Sequence, residues 1–221
     1  VHYYLYALTN DKSELDKAEN SDSLYCFPNR LEDIAVLENA IYNGGNYAAY
    51  YLGCLFYDKG RWEESKELWE KCADNITLPT VYRNLSLVYY NKLKDGVLAL
   101  KSMEKAFSID KSDARIFFEL DQLYKTLNFS LEKRLANMNE NSDLLEKRDD
   151  LYTEYITLLN MNGEYDNAYN RIMNHNFHPW EGGEGKIPAQ YRIALINKAK
   201  AEKNTEKAIE YLEKALVYPY N

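Results

Sequence analysis

The chain has 221 residues, enough to bury a substantial hydrophobic core, and its composition is that of a soluble globular protein apart from its 21 tyrosines. Its net charge of −8 argues against a nucleic-acid surface or an anionic membrane, because both need clustered Lys and Arg. Cys26, Cys54 and Cys72 cannot all pair and fit no zinc motif, so they predict free thiols in a reducing, cytoplasmic compartment.

The first 45 residues predict irregular helices ahead of a repeat array. The segments "VHYYLYAL" and "KSELDKAEN" indicate a short helix pair, and "SDSLYCFPNR" indicates a loop. An apolar period of 3.6 residues over "LEDIAVLENAIYNGG" predicts an amphipathic helix that ends at Gly44 and Gly45. We expect this helix to pack against the first full repeat.

The next part of the chain contains one pattern twice. A small–large–small set of residues recurs 34 positions later, first as Ser65, Trp69 and Cys72 and then as Ala99, Met103 and Ala106. Small residues allow two helices to approach closely, and the large residue fills the remaining space. Together with Leu52-Gly53, which recurs as Leu85-Ser86, the pattern resembles the tetratricopeptide repeat, in which helical hairpins stack on one another.

Three partial copies follow. The segment "FFELDQLYKTLNFS" begins a third hairpin, whose second helix around "LEKRLANMNEN" is degenerate. A fourth copy turns at Gly163, and the last ends at Pro219. We therefore predict an all-α superhelical solenoid forming a single domain over residues 1–221. Its irregular helices occupy 1–45, and its repeat units occupy 46–78, 79–113, 114–148, 149–188 and 189–221.

Several segments carry a closer resemblance, in the order "FPNRLEDIAVLENAI", "YYLGCLFYDKGRWEESKELWEK", "EKRDDLYTEY" and "FHPWEGGEGK". They are similar to the carboxy-terminal repeat region of large uncharacterised bacterial tetratricopeptide proteins, over most of residues 24–221. In those proteins a β-rich domain that resembles galactose-mutarotase sandwiches comes before the repeats. The resemblance implies no catalytic residue and at most a connection to carbohydrate metabolism.

The segment "HPWEGGEGK", residues 178–186, interrupts the helical pattern. Neither a P-loop nor a Rossmann phosphate site fits, because Ile187 follows Gly185-Lys186 and no strand precedes the segment. A metal ion held by His175 and His178 needs a helical spacing that Pro179 disfavours, so we assign no metal site.

This segment has two remaining interpretations. The first is an anchored connector in which Trp180 is a buried plug, since long loops are often held by their own side chains. The second is a recognition element formed by His178, Trp180, Glu181 and Glu184.

The inner face of the array is the better candidate for function. The resemblance to tetratricopeptide arrays implies that the second, fifth, ninth and twelfth residues of each first helix face a groove. With the units beginning at Asn46, Pro79 and Ala114, the predicted lining is Tyr47, Tyr50, Cys54, Tyr57, Thr80, Arg83, Leu87, Tyr90, Arg115, Phe118, Gln122 and Lys125. Such a groove is aromatic with three cations, which suits peptides or sugars.

No set of Ser, His and Asp, or of Cys and His, has a spacing typical of catalysis. We therefore predict a non-catalytic interaction scaffold that uses no cofactor. Its partner would be a protein or peptide, including another domain of the same parent chain, rather than nucleic acid or membrane. The alternative is an accessory module of a carbohydrate-active bacterial protein, whose groove contributes to a saccharide-binding site.

Overall fold

The computed structural model describes residues 1–23 and 26–217, and within them every regular element is helical. The prediction of an all-α fold built from helical hairpins is confirmed. Pro219, expected to end the last repeat, lies outside the described residues. The chain divides into two compact units, Val1–Lys111 and Ser112–Asn221. None of the described helices is both long and apolar enough to span a bilayer.

The helices of the first unit are α1 (His2–Thr9), α2 (Lys12–Glu19), α3 (Leu31–Tyr42), α4 (Asn46–Asp58), α5 (Trp62–Ala73), α6 (Pro79–Asn91) and α7 (Gly96–Ile109). Helix α4 packs against α5, and α6 packs against α7, so each full repeat is a helical hairpin. All six residues of the small–large–small pattern are buried. Between α4 and α5, the Ser65 hydroxyl donates to the Gly53 carbonyl at 2.8 Å, which holds the two helices in close contact.

The amino-terminal helices are attached to the first full repeat through Glu19. Its carboxylate accepts hydrogen bonds from the main-chain N–H groups of Asn46 at 2.7 Å, Tyr47 at 2.8 Å and Ala48 at 3.1 Å. These groups have no partner within α4, because the first N–H groups of a helix lie beyond its internal ladder. The carboxylate also accepts from the Tyr3 hydroxyl at 2.6 Å, so Glu19 joins α1, α2 and α4.

The second unit contains α8 (Ala114–Thr126), α9 (Leu131–Glu140), a 3-10 helix (Ser142–Lys147), α10 (Asp149–Met161), α11 (Tyr165–Met173), α12 (Lys186–Ala201) and α13 (Thr205–Leu216). Helix α10 packs against α11 and α12 against α13. Helix α12 begins upstream of the boundary predicted at residue 189, after Gly185, whose φ of 74° lies in the left-handed region that glycine favours.

A buried ion pair explains why the third hairpin looks degenerate in sequence. Arg134, Met138 and Asn141 have the same spacing as the small–large–small pattern, with an arginine in place of the first small residue. The Arg134 guanidinium donates to both carboxylate oxygens of Asp121, at 3.0 and 2.6 Å, and to Glu154 at 2.8 Å. Charge pairing among α8, α9 and α10 therefore takes the place of close apolar packing.

Candidate functional site

In the first unit, α4 and α6 meet where the side-chain amide of Asn84 donates to the Cys54 sulfur at 3.8 Å. Around this contact, half-exposed side chains from both helices occupy the positions predicted to line a groove. We term this set the tyrosine face; it consists of Tyr47, Cys54, Tyr57, Thr80, Arg83, Leu87 and Tyr90. It presents three aromatic rings and one guanidinium on these two helices.

Tyr50, which the repeat positions also predicted to face the groove, belongs to the core. Only 6% of its surface is exposed, and its ring packs against that of Tyr51 with centroids 5.3 Å apart. Burial raises the pKa of its hydroxyl, and the neighbouring Cys54 adds to this effect. The physical reason is that α3 and α5 both pack against α4 and leave little of its surface open. Tyr50 is therefore not part of the tyrosine face.

The two buried or half-buried thiols are poor nucleophiles. Burial raises the pKa of Cys54 to about 11 and that of Cys72 to about 12. Both thiols are therefore protonated near neutral pH, whereas nucleophilic attack requires the thiolate. In the described residues Cys26, Cys54 and Cys72 are all free, and Cys26 is exposed.

The groove residues predicted in the second unit lie on α8, and their charges are largely compensated. Arg115 pairs with Glu119 at 3.2 Å, and Lys125 pairs with Glu154 at 2.8 Å. Phe118 is half-buried. Gln122 is half-buried too, and its side-chain nitrogen has no hydrogen-bond partner. This part of the predicted groove is therefore less cationic than its sequence suggests, because each of these two cations has a carboxylate partner.

The loop between α11 and α12, residues 174–185, is anchored to the first residue of α10. One carboxylate oxygen of Asp149 lies 2.7 Å from Nε2 of His175. The other accepts from the main-chain N–H of His178 at 2.7 Å and lies 3.2 Å from its Nδ1. The His175 ring also stacks on Tyr152, with centroids 4.2 Å apart. Sequence reasoning identified the two histidines but missed Asp149, which lies more than 20 residues away in the chain.

Trp180 packs on its own loop. A Cβ built on Gly183 would lie 2.5 Å from the Trp180 ring, so the indole covers the Gly183 backbone. Trp180 is only half-buried, so the prediction of a buried plug is wrong. The contact described for its ring is with the Gly183 backbone of the same loop. His178, Glu181 and Glu184 are exposed. Within residues 1–23 and 26–217, no group of three or more His, Cys, Asp and Glu side chains could hold a metal ion.

Comparison with known proteins supports the fold. No protein-family model matches the sequence. The structure is similar to the crystal structure of YrrB, described as a TPR protein with an unusual peptide-binding site, with a TM-score of 0.56 and 18% identity, covering 81% of this chain and 90% of YrrB. A crystal structure of MamA gives a TM-score of 0.44 and 13% identity, covering 97% of this chain and 90% of MamA. The likeness to YrrB shows a tetratricopeptide-like helical repeat fold.

Proposed function

We propose that the chain is a non-catalytic interaction scaffold that binds a peptide segment of a partner protein on the tyrosine face. The observation that carries this proposal is the set of half-exposed Tyr47, Tyr57, Arg83 and Tyr90 on α4 and α6, two helices joined by the Asn84–Cys54 contact. Tyrosine offers a large, rigid contact area at a low cost in conformational entropy, which favours peptide recognition. The partner is a separate protein or another domain of the same parent chain.

The face suits a peptide that carries a carboxylate. The guanidinium of Arg83 lies close enough to the Tyr50 hydroxyl to lower its pKa, although burial outweighs this effect. A guanidinium beside aromatic rings can bind a carboxylate through charge-assisted hydrogen bonds while the rings contact the adjacent peptide. We therefore expect acidic side chains or a free carboxy terminus in the bound peptide.

Two further observations support a binding role. The fold is similar to that of YrrB, a protein described as having a peptide-binding site. The raised pKa values of Cys54 and Cys72 disfavour thiol chemistry at these two positions.

Selection from a peptide library on the intact chain, followed by calorimetry, tests the proposal. We expect Tyr47→Ala and Tyr90→Ala each to weaken binding of the selected peptide by about tenfold or more, the effect of losing a good interface anchor. Tyr42→Ala is the matched control, because Tyr42 is 90% exposed on α3, outside the tyrosine face. If the peptide still binds after both substitutions, the tyrosine face is not the binding site.

A glycan array, probed with the same three variants, separates this proposal from the carbohydrate alternative. We expect no saccharide binding that depends on Tyr47 or Tyr90. If sugars bind in a Tyr90-dependent way and no peptide is selected, the accessory module of a carbohydrate-active protein replaces the peptide scaffold as the proposed function.

A further inference from the structure

A second surface in the first unit lies on the opposite side of α6 from the residues that α6 gives to the tyrosine face. It is a cleft of about 650 Å³ between α5 and α7, with α6 as its floor. The floor is lined by Tyr82, Leu85 and Tyr89, and Leu98 of α7 lies on one wall. We term this surface the acid–base cleft. Its volume falls within the range of about 300–1,000 Å³ that is usual for binding pockets.

The floor of the acid–base cleft is apolar although it contains two tyrosines. The Tyr82 hydroxyl donates to the Ala73 carbonyl at 2.9 Å, and the Tyr89 hydroxyl donates to the Glu70 carboxylate. Leu85 and Tyr89 are themselves buried, with 4% and 7% exposed, so the accessible carbon surface of the floor comes from the half-buried Tyr82 ring. Leu98 adds to that surface, since 40% of it is exposed.

The two rims of the cleft carry opposite charges. Glu70 and Asp74 line the α5 side, where Lys66 lies 3.8 Å from Glu70 and offsets part of its charge. Lys101 and Lys105, one helical turn apart, line the α7 side. Glu104 also lines the α7 side and reduces the positive charge of that rim without reversing it. An occupant that fits both rims therefore carries basic groups along one edge and acidic groups along the other.

The backbone of the walls favours a helical occupant. Both walls are helices, whose main-chain N–H and C=O groups are paired internally except at the ends. An extended peptide in the cleft would find few main-chain partners, whereas a helix pairs its own backbone groups. The α7 wall runs from Leu98 to Ser108, a length of about 15 Å or about three helical turns.

We propose that the acid–base cleft docks an amphipathic helix of a partner protein, about three turns long. Its apolar stripe contacts Tyr82 and Leu98, its basic edge faces Glu70 and Asp74, and its acidic edge faces the two lysines. The opposite rim charges also fix the direction of the bound helix, because reversing it exchanges the two edges. This surface is independent of the tyrosine face.

A display library of amphipathic helical peptides, with random residues at the two edges of a fixed apolar stripe, tests this on the intact chain. We expect enrichment of peptides with Lys or Arg along one edge and Asp or Glu along the other. Leu98→Arg should weaken binding of a selected peptide by about tenfold or more. Val97→Arg, at an 80% exposed position on α7 outside the cleft, and Tyr90→Ala should leave binding unchanged.

Reversing the charge of one rim gives the sharper test. The double variant Lys101→Glu/Lys105→Glu makes both rims acidic, so the same library should now yield peptides that are basic along both edges. Thermal melting shows whether this variant remains folded, and Leu98→Arg supplies the readout if it does not. The proposal is overturned if no helical peptide is enriched, if edge charge has no effect, or if binding survives Leu98→Arg. None of these results bears on the tyrosine face.

Discussion

Trp69 lies so close to Gly53 that no side chain fits between α4 and α5 at that point. A Cβ built on Gly53 would lie 2.5 Å from the indole nitrogen and 2.6 Å from Cδ1. The same indole nitrogen donates to the Tyr50 carbonyl at 3.1 Å, which fixes the ring over the helix backbone. Only 2% of Trp69 is exposed, so the ring has little room to move.

We predict that Gly53→Ala lowers the free energy of unfolding by about 1–3 kcal/mol, the usual cost of overpacking a core. The loss should appear even though alanine favours a helix interior by about 1 kcal/mol over glycine. Denaturant unfolding measures the change. In a Trp69→Leu background the added methyl group should cost less, because the indole is gone. An unchanged unfolding midpoint in the single variant would contradict the contact.

The second prediction concerns the buried ion pair. Arg134→Met should lower the free energy of unfolding by about 3–5 kcal/mol, because it leaves the fully buried Asp121 carboxylate without its counterion. The matched control is Arg115→Met, since Arg115 is 62% exposed beside Glu119 and such surface pairs contribute about 1 kcal/mol or less. If the two substitutions lower the free energy of unfolding equally, burial does not determine how much an ion pair stabilises the fold.

The hairpins could be predicted from sequence because their contacts repeat. Ser65, Trp69 and Cys72 recur as small and large residues at one period, and close helix packing imposes that period. The third hairpin keeps the spacing, but its first position is Arg134, which forms a buried ion pair with Asp121. A search for small residues therefore finds this hairpin degenerate.

The binding surfaces were less predictable, for two physical reasons. Helix position alone placed Tyr50 and Tyr90 in one groove, but only 6% of Tyr50 is exposed, because α4 also packs against helices such as α3 that lie outside the repeats. The loop anchor depends on Asp149, which contacts His175 only after two helices have folded together. Contacts between non-equivalent elements leave no periodic trace in the sequence.

The third prediction is that truncating Tyr50 and truncating Tyr90 lower the stability of the fold by different amounts. Tyr50→Ala should lower the free energy of unfolding by about 3–5 kcal/mol, as for other buried aromatic side chains. Tyr90→Ala, at a half-exposed position, should cost much less. Thermal melting of both variants measures the difference. If Tyr50→Ala melts like the parent chain, Tyr50 is not part of the core.

The last prediction concerns the carboxylate that anchors the α11–α12 loop. Burial alone raises the pKa of Asp149, but the hydrogen bonds from His175 and from the main chain and ring of His178 lower it more, so its pKa in the folded chain lies below the usual value. An unfolded chain has an aspartate pKa of about 3.9. The unfolded state therefore binds the proton more tightly, and the ionised carboxylate stabilises the fold.

This stabilisation should be fully present above about pH 4 and should disappear as the pH falls through the lowered pKa of folded Asp149. We predict that Asp149→Asn lowers the free energy of unfolding at pH 7 by about 1–3 kcal/mol, the usual contribution of hydrogen bonds to a charged group. Denaturant unfolding of both proteins at a series of pH values should show the difference persisting down to about pH 4 and shrinking below it. Glu181→Gln, at an exposed position of the same loop, is the control and should show no such difference. A difference that stays constant into strong acid would mean that the charge of Asp149 does not anchor the loop.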